Sequence, residues 1–235
     1  MGGRSSSPTP SGFGNRQLIP PRERASPAGY DRPVRILLYG RGGKVGRIVG
    51  PALQAAGHEL VDDLSQAEIM VDFTAPDAVV SNVEAAVAAG VPCVVGTSGA
   101  DLAGVGEKAA AAGVSVFVAP NFALGAVLMM RFAAEAARHL PRAEIVEAHN
   151  EAKLDAPSGT AKATAEAMGG DVAIHSIRLP GLVAHQEVLL AGDGQLLTIR
   201  HDAFSREAYV PGVLLALGRV RDLPPGITTG LDALL

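Results

Sequence analysis

Short apolar segments alternate with helix-like segments along the first half of this 235-residue chain, and this alternation constrains its fold more than any other feature. The strand-like segments are "VRILLYG" (34–40), "EIMVDFT" (68–74), "VPCVVGT" (91–97) and "VSVFVAP" (114–120). The helix-like segments run from a glycine-rich loop to Gly57, from 76 to 90 and from 101 to 112. Strands that alternate with helices of this length form parallel sheets with helices on both faces. We therefore predict an α/β fold with a Rossmann-like, doubly wound parallel sheet.

The second half of the chain changes pattern after a long helix within "NFALGAVLMMRFAAEAARH". Four strand-like segments follow mostly without helices between them, at 143–149, 172–179, 185–192 and 195–202, with "GDG" (192–194) as a hairpin turn. They predict a smaller α+β lobe with an open mixed sheet, whose edge and face need a cover. A last helical segment, 209–222, could return to the first lobe.

Composition narrows the classes of partner. The formal net charge is −4 and no stripe of Lys and Arg is present, which argues against nucleic acid. The single cysteine, Cys93, excludes an intramolecular disulfide and suits a reducing compartment. No apolar stretch reaches the roughly 18 residues of a membrane span. Five further histidines lack the spacing of metal ligands, so no metal is predicted: His58, His139, His175, His185 and His201. We expect a cytoplasmic protein with a small-molecule partner.

Residues 1–33 differ in composition from the rest of the chain. They are rich in Ser, Pro, Gly and Arg and have no apolar periodicity. Such a segment cannot bury enough apolar surface to offset the entropy of ordering, so we predict a disordered leader. Because it is rich in Arg and poor in acids, an organelle transit peptide stays open, and so does an upstream start codon.

A glycine-rich loop, "YGRGGKVGRIV", follows the first predicted strand and precedes a helix. Gly40, Gly43 and Gly46 have a G-x-x-G-x-x-G spacing. That spacing alone is weak evidence, but its place between a strand and a helix is typical of pyrophosphate binding by exposed backbone N–H groups. Lys44 could assist. Asp62 and Asp63 are both candidates for the ribose hydroxyl, and acidic residues with no Arg nearby favour NADH slightly over NADPH.

Two other loops, "DFTAPD" (72–77) and "GTSGAD" (96–101), follow predicted strands. Open α/β sheets bind ligands at the carboxyl ends of their strands, where both loops lie. Asp, Ser and Thr are also common helix caps, so each polar residue is open to either role. The residues concerned are Asp72, Thr74, Thr97 and Ser98.

The segment "EAHNEAKLDAPSGTA" (147–161) combines several reactive residue types. His149 ends a strand and can act as a general acid or base, while Lys153 can hold a carboxylate. We predict that Ser158 caps the next helix rather than acting as a nucleophile, because no G-x-S-x-G elbow surrounds it. Gly159 and Thr160 then offer backbone N–H groups to an anion. These residues predict a pocket for an acidic substrate with a proton donor.

Motifs from about Val34 to the end of the chain resemble the 4-hydroxy-tetrahydrodipicolinate reductase family, also called dihydrodipicolinate reductase. In family order they are the glycine-rich loop, "VDFTAPDA", "GTSG", "APNFALG", "EIVEAHNEAKLDAPSGTA" and "RHDAFSREAYVPG". The resemblance implies hydride transfer from NADH or NADPH to a cyclic, conjugated imine dicarboxylate, giving tetrahydrodipicolinate in lysine and diaminopimelate biosynthesis. It also implies a homotetramer joined through the second lobe.

The same resemblance implies roles for individual residues. His149 is the expected proton donor and Lys153 its catalytic partner. The expected substrate-binding residues are Asn150, Gly159, Thr160 and Arg206. The expected cofactor-binding residues are Gly40, Gly43, Lys44, Val45, Gly46, Phe73, Thr74, Gly96, Thr97, Ser98, Pro120, Asn121 and Phe122. On this basis 34–120 and 207–235 are predicted to form the dinucleotide-binding domain, and 121–206 the substrate-binding and oligomerisation domain.

Two positions depart from the family pattern. Asn150 stands where a second His is usual, and Lys44-Val45 where Arg-Met is common. Two other functions stay open: a different two-lobed NAD(P)-dependent oxidoreductase, such as an amino-acid dehydrogenase, and a dinucleotide-binding module without catalysis.

Overall fold

The computed structural model describes residues 32–235, which form a large parallel sheet and a smaller mixed sheet. The strands of the large sheet are β1 (Arg35–Tyr39), β2 (Glu59–Val61), β3 (Ile69–Asp72), β4 (Cys93–Val95), β5 (Ser115–Val118) and β10 (Gly226–Thr229). They lie in the order β10-β5-β4-β3-β1-β2, and every neighbouring pair is parallel. The predicted Rossmann-like α/β sheet is therefore confirmed.

Helices cover both faces of this sheet. They are α1 (Gly46–Ala55), α2 (Pro76–Ala88), α3 (Ala103–Ala112), α4 (Leu124–Ala137) and α6 (Val210–Arg219). Successive side chains of a strand point to opposite faces. Ile36 and Leu38 accordingly join the core that contains Leu217 of α6, whereas Leu37 joins the core that contains Val83 of α2. Burial on both faces explains why the strands are continuous apolar runs.

The smaller sheet belongs to the second lobe. Its strands are β6 (Arg142–His149), β7 (Ala173–Arg178), β8 (Ala184–Gly192) and β9 (Gln195–Ala203), in the order β7-β6-β8-β9. The β6–β7 pair is parallel and the other two pairs are antiparallel, so the predicted mixed sheet is confirmed. A two-residue turn at Asp193 and Gly194 joins β8 to β9, as the "GDG" motif predicts.

One face of the mixed sheet packs on helices and the other does not. Helix α4 and helix α5 (Gly159–Ala167) contribute Met129 and Ala165 to a core with Ile145 and Val188 of the sheet. On the opposite face and its rim, Ile177, Leu179 and Leu196 are exposed. The second lobe therefore presents apolar surface at this open face.

The C-terminal part of the chain returns to the large sheet. Helix α6 packs into the core of the first lobe, as the pattern at 209–222 suggests. The sequence reasoning missed the strand that follows, β10, which pairs with β5 at the edge of the sheet. It also missed β2 as a strand, although it placed a shortened crossover there. Both strands are short, at four and three residues, so periodicity gives them little signal.

None of the helices within residues 32–235 combines the length and the apolar character needed to cross a bilayer. Residues 1–31 of the predicted leader lie outside the described part of the chain. The guanidinium of Arg32, near the end of that leader, pairs with Glu68 at 2.6 Å.

Replacing Leu217 with Ala should test how strongly α6 belongs to the first lobe. Leu217 has no exposed surface and contributes to the core between α6 and the sheet. Removing its side chain leaves a cavity, so the free energy of unfolding is expected to fall by about 2–5 kcal/mol. Urea unfolding followed by circular dichroism measures it. Leu154→Ala is the control, because Leu154 is 98% exposed and its loss should change stability by less than about 0.5 kcal/mol. Equal effects of the two substitutions would contradict the role of α6.

Candidate active site

The glycine-rich loop makes a compact turn between β1 and α1. Gly40 adopts a left-handed conformation with φ of 79°, and its carbonyl accepts a hydrogen bond from Gly43 N at 2.9 Å. A Cβ atom on Gly46 would collide with the backbone of Gly40, so these two positions require glycine. Around Gly42, in contrast, no atom lies within 4 Å of where a Cβ would be. The outer side of the turn is therefore open to a ligand.

The start of α1 faces this open side. Its N-cap, Val45, provides no side-chain hydrogen bond to the helix. The first N–H groups of a helix attract anions, but here Arg47 N and Ile48 N already donate to the carbonyls of Gly43 and Val45 at 3.1 and 2.9 Å, so the N–H groups offered to a ligand are those earlier in the turn. Exposed Lys44 adds a positive charge one residue earlier. The loop thus fits the pyrophosphate of a dinucleotide, both in the space that it leaves and in the groups that it offers.

Phe73 joins three of the predicted cofactor segments. A Cβ atom on Gly40 would meet the Phe73 carbonyl, and one on Gly96 would meet the Phe73 ring. The same ring packs edge-on against Phe122, with centroids 5.6 Å apart. The segments after β1, β3, β4 and β5 therefore meet at one edge of the sheet, where parallel α/β folds bind ligands.

A buried carboxylate fixes two of these segments. Asp72 has no exposed surface, and its Oδ1 accepts hydrogen bonds from Thr74 N at 2.9 Å, Thr74 Oγ1 at 2.7 Å and Thr97 Oγ1 at 2.7 Å. Its Oδ2 accepts one from Asn82 Nδ2 at 2.8 Å. Because Asp72, Thr74 and Thr97 are engaged with one another, they position the loops rather than cap helices.

Asp72, Thr74, Thr97 and Ser98 are not the N-caps of the helices that follow, although Asp101 Oδ1, in the second loop, accepts a hydrogen bond from Ala103 N at 3.0 Å at the start of α3. The N-caps of α2 and α3 are Ala75 and Leu102, and neither provides a side-chain cap. Ser98 and Pro120 are both exposed at the same edge of the sheet, at the ends of segments that follow β4 and β5.

The structure separates the two candidates for the ribose hydroxyl. The carboxylate of Asp63 caps a short 3-10 helix, accepting hydrogen bonds from Ser65 N and Ser65 Oγ at 2.7 Å each. Asp62 is exposed and its Oδ1 lies 3.5 Å from Arg41 Nη1 of the glycine-rich loop. The expectation that no Arg is near these acidic residues is therefore wrong, because neighbouring strands β1 and β2 bring together residues that are distant in sequence.

His149 ends β6, as predicted, and its ring is largely buried. Its Nδ1 lies 2.5 Å from Oε2 of Glu147, whose side chain has no exposed surface. Arg178, at the end of β7, donates two hydrogen bonds to the same carboxylate at 2.9 and 2.8 Å. Burial lowers the pKa of His149, and Glu147 opposes that effect.

Lys153 lies on the loop that follows β6. Its Nζ contacts both carboxylate oxygens of Asp155, at 2.7 and 2.8 Å. Asn150 shapes this loop: its Oδ1 accepts a hydrogen bond from Ala152 N at 3.0 Å, and its carbonyl accepts one from Lys153 N at 3.0 Å. The oxygen of the Asn150 side chain therefore holds a turn, and its amide nitrogen is the group left for a substrate.

Helix α5 begins where the sequence predicts. Ser158 is its N-cap, with Oγ accepting a hydrogen bond from Ala161 N at 3.1 Å, and Gly159 and Thr160 form its first turn. Gly159 is exposed and no atom lies within 4 Å of its Cβ direction. Asn121, in the segment after β5, donates a long hydrogen bond of 3.4 Å to Thr160 Oγ1. This contact places the predicted cofactor and substrate segments next to each other.

Arg206 lies apart from the groups that these contacts connect. It is exposed and begins a 3-10 helix, Arg206–Tyr209, on the connection from β9 to α6. Within residues 32–235, no hydrogen bond or ion pair joins it to His149 or Lys153. The same described residues contain no group of three or more His, Cys, Asp or Glu side chains that could hold a metal ion.

Sequence reasoning missed Glu147, Arg178 and Asn82. Glu147 precedes His149 by two residues on a strand, so the two side chains share a face, and that spacing could have indicated a partner for the imidazole. Arg178 and Asn82 gave no local signal, because their contacts depend on strand pairing and helix packing.

A Rossmann-like sheet whose carboxyl edge adjoins a lobe with a largely buried, carboxylate-bound histidine is consistent with the class of nicotinamide-dependent oxidoreductases. Comparison with sequence families makes the assignment specific. The dihydrodipicolinate reductase N-terminal model matches residues 56–122, and the C-terminal model matches residues 125–235. The chain belongs to the dihydrodipicolinate reductase family.

Curated relatives and solved structures agree with this assignment. The 4-hydroxy-tetrahydrodipicolinate reductase of Moorella thermoacetica is 47% identical over 216 residues, covering 78% of this chain and 80% of the relative. That of Beutenbergia cavernae is 41% identical, covering 86% of this chain and 98% of the relative. A dipicolinate-bound dihydrodipicolinate reductase from Paenisporosarcina sp. TG-14 has a TM-score of 0.77 and 29% identity, covering 86% of this chain and all of that one.

A more distant match shows the fold alone. An amine dehydrogenase from Mycobacterium smegmatis has a TM-score of 0.60 at 12% identity, covering 85% of this chain and 95% of that one. The two-lobed plan is therefore shared with other dehydrogenases, and the family assignment depends on the sequence matches.

Replacing Asp72 with Asn should weaken the cofactor edge. All four groups that contact the Asp72 carboxylate donate hydrogen bonds to it. In Asn the NH2 group replaces one carboxylate oxygen, so two donors would face each other at that position. A buried polar group left without a partner costs about 1–3 kcal/mol of stability, and looser loops should also raise the Kd for the dinucleotide. Thermal unfolding and NADH fluorescence titration measure the two effects.

The matched control for this prediction is the double variant Asp72→Asn with Asn82→Asp. It exchanges amide and carboxylate between the two partners, so Oδ1 still accepts from Thr74 and Thr97 while the amide nitrogen meets a carboxylate. We expect it to recover part of the lost stability. If the double variant is no more stable than the single one, the Asp72–Asn82 hydrogen bond does not support these loops.

Proposed function

We propose that this chain catalyses the NAD(P)H-dependent reduction of 4-hydroxy-tetrahydrodipicolinate to tetrahydrodipicolinate, a step of lysine and diaminopimelate biosynthesis. The observation that carries the proposal is the segment from His149 to Thr160. It gathers a largely buried imidazole, an ammonium group and a helix N-terminus beside the carboxyl edge of the large sheet. Membership of the dihydrodipicolinate reductase family gives this arrangement its substrate class.

The bound nicotinamide supplies a hydride to the substrate ring. For this chain we propose that Gly40, Gly43, Lys44, Val45 and Gly46 hold the pyrophosphate. The remaining cofactor contacts are proposed for Phe73, Thr74, Gly96, Thr97, Ser98, Pro120, Asn121 and Phe122. Asp62 is the better candidate for a ribose hydroxyl, because the carboxylate of Asp63 is already engaged with Ser65.

His149 is the proposed proton donor. Addition of a hydride leaves negative charge on a conjugated ring, and a proton delivered from an imidazolium neutralises it. Because the 4-hydroxyl of the substrate is absent from the product, the overall reaction also releases water. The Nδ1 atom of His149 faces Glu147, so Nε2 is the nitrogen available to the substrate.

Lys153 and the start of α5 are proposed to hold the substrate carboxylates. The N–H groups of Gly159 and Thr160 attract one carboxylate, with a contribution of about 0.3–2 kcal/mol from the helix terminus. The Lys153 ammonium attracts the other, after it exchanges part of its contact with Asp155 for the substrate. The Asn150 amide nitrogen and Arg206 complete the proposed set.

The two lobes divide these tasks. We assign residues 34–120 and 207–235 to dinucleotide binding, and residues 121–206 to substrate binding and oligomerisation. A homotetramer would cover the open face of the mixed sheet, where Ile177 and Leu196 are exposed. The proposed site of action is the cytoplasm, whose reducing environment suits the free thiol of buried Cys93.

The oligomer can be tested by sedimentation equilibrium. The expected mass is that of four chains of 24.0 kDa each. Ile177→Asp should shift the protein toward smaller species, since a charge at a covered apolar face is costly to bury. Leu235→Asp, at an exposed residue of the first lobe, is the control and should leave the mass unchanged. A wild-type mass of one chain would contradict the tetramer.

The reaction can be tested by NADH and NADPH oxidation in a coupled assay that generates the imine in situ. His149→Gln is expected to lower kcat by about 10²–10⁴-fold, because the proton donor is lost. Lys153→Ala should raise KM for the imine, whereas Asp155→Asn, which removes the competing partner of the ammonium, should leave KM unchanged or lower it. The Kd for the dinucleotide should stay near wild type in all three variants.

No oxidation above background with either nicotinamide would overturn the proposed reaction. A loss of dinucleotide binding as large as the loss of rate would reassign His149 or Lys153 to structure. Oxidation of amino acids without reduction of the imine would favour an amino-acid dehydrogenase instead. Dinucleotide binding with no turnover, and with His149 replaceable at no cost, would indicate a binding module.

A further inference from the structure

Glu147 is a buried carboxylate that connects the segments carrying the proposed chemistry. In addition to His149 and the two nitrogens of Arg178, it accepts a hydrogen bond from Ser158 N at 3.2 Å. Arg178 also donates to the carbonyl of Asp155 at 2.8 Å. Glu147, which has no exposed surface, therefore joins the end of β6, the end of β7 and the start of α5, and Arg178 extends these contacts to the loop that carries Lys153.

The charge state of Glu147 follows from these contacts. Burial alone would raise the pKa of Glu147, but hydrogen bonds from Arg178, Ser176 and His149 lower it to about 2. The bidentate contact with a guanidinium is among the strongest that a carboxylate makes. Glu147 is therefore ionised at neutral pH and can only accept hydrogen bonds. The nitrogen that it contacts, Nδ1 of His149, must carry a hydrogen.

We propose that Glu147 and Arg178 are positioning residues for His149: the carboxylate holds the imidazole as the Nδ1–H tautomer, leaving Nε2 to exchange the proton, and Arg178 anchors that carboxylate. The assignment of Nε2 as the exchanging atom rests on the proposed function. The orientation and the tautomer of the ring do not depend on the proposed function, because they follow from contacts within the protein.

The charged groups around His149 shift its pKa in opposite directions. Glu147 faces it from its own strand, Arg178 from β7, and Lys153 and Asp155 from the following loop, while β8 places Ala184 opposite. Burial has the largest effect on the pKa of His149 and lowers it; Glu147 raises it, and Lys153 and Arg178 lower it. Neutralising Glu147 should therefore lower this pKa, and neutralising Arg178 should raise it.

The protonation state of His149 determines how the reaction rate changes with pH. A general acid works in its protonated form, so the rate falls as pH rises through the pKa of His149. In Glu147→Gln the fall should move to lower pH, and in Arg178→Gln to higher pH. If the two substitutions only loosened the fold, the pH–rate profiles of Glu147→Gln and Arg178→Gln would not shift in opposite directions.

The direct test is long-range ¹H–¹⁵N NMR of the imidazole rings in the full-length protein, without substrate. The His149 signals are identified by their absence from His149→Gln. Above its pKa, wild-type His149 should have a protonated Nδ1 and a bare Nε2. The titration midpoint should fall by ~1 pH unit in Glu147→Gln and rise by a similar amount in Arg178→Gln. Glu147→Asp keeps the charge and should recover part of the wild-type midpoint.

Activity provides a second reading in the same variants. Glu147→Gln should lower kcat by about 10-fold or more, with less effect on KM and none on dinucleotide Kd, since the donor is present but poorly held. Circular dichroism checks that each variant folds. A neutral wild-type ring with its hydrogen on Nε2 and none on Nδ1, or midpoints that move in the same direction in both variants, would overturn the proposal. If the NMR results are as expected but the wild type does not reduce the imine, only the proposed reaction fails.

Discussion

The ion pair of Glu147 and Arg178 is the interaction on which the second lobe depends. A carboxylate taken out of water is costly unless its oxygens are fully satisfied, and here the side chains of His149, Ser176 and Arg178 and the backbone N–H of Ser158 donate to it. Those donors come from two strands and from the residue that begins α5. The positions of the imidazole, the end of β7 and the helix terminus are therefore coupled, since a shift of any of them removes a donor from a buried charge, and Arg178 ties the lysine loop to them through the Asp155 carbonyl.

The first lobe also has a buried carboxylate, at the carboxyl edge of the large sheet. Asp72 has no contact with the solvent, and its two oxygens accept hydrogen bonds from the loops after β3 and β4 and from α2. Each lobe thus places one buried carboxylate immediately behind the loops that face a ligand. Loops are usually the mobile parts of a fold, and a charge satisfied only by their native arrangement restricts them.

Much of this architecture could be predicted from the sequence because its signals are local. Apolar runs identify β1, β3, β4 and β5, the "GDG" turn identifies the β8–β9 hairpin, and Ser158 followed by Gly159 marks the start of α5. What could not be predicted depends on partners far along the chain. The four residues of β10 become a strand because β5 offers an edge, and Arg41 meets Asp62 because β1 and β2 are neighbours. The role of Glu147 depends on Arg178, which lies 31 residues further along the chain and reaches it only because β6 and β7 pair.

The return of the chain to the large sheet has a consequence for how the protein is made. Strand β5 ends at Val118, yet its partner β10 begins only at Gly226, after the entire second lobe. During synthesis one edge of the nucleotide-binding sheet therefore stays unpaired until residues 226–229 have left the ribosome. An open strand edge is a template for pairing with other chains. The nascent protein would stay in that vulnerable state throughout the synthesis of the second lobe, and the sheet could be completed only after it.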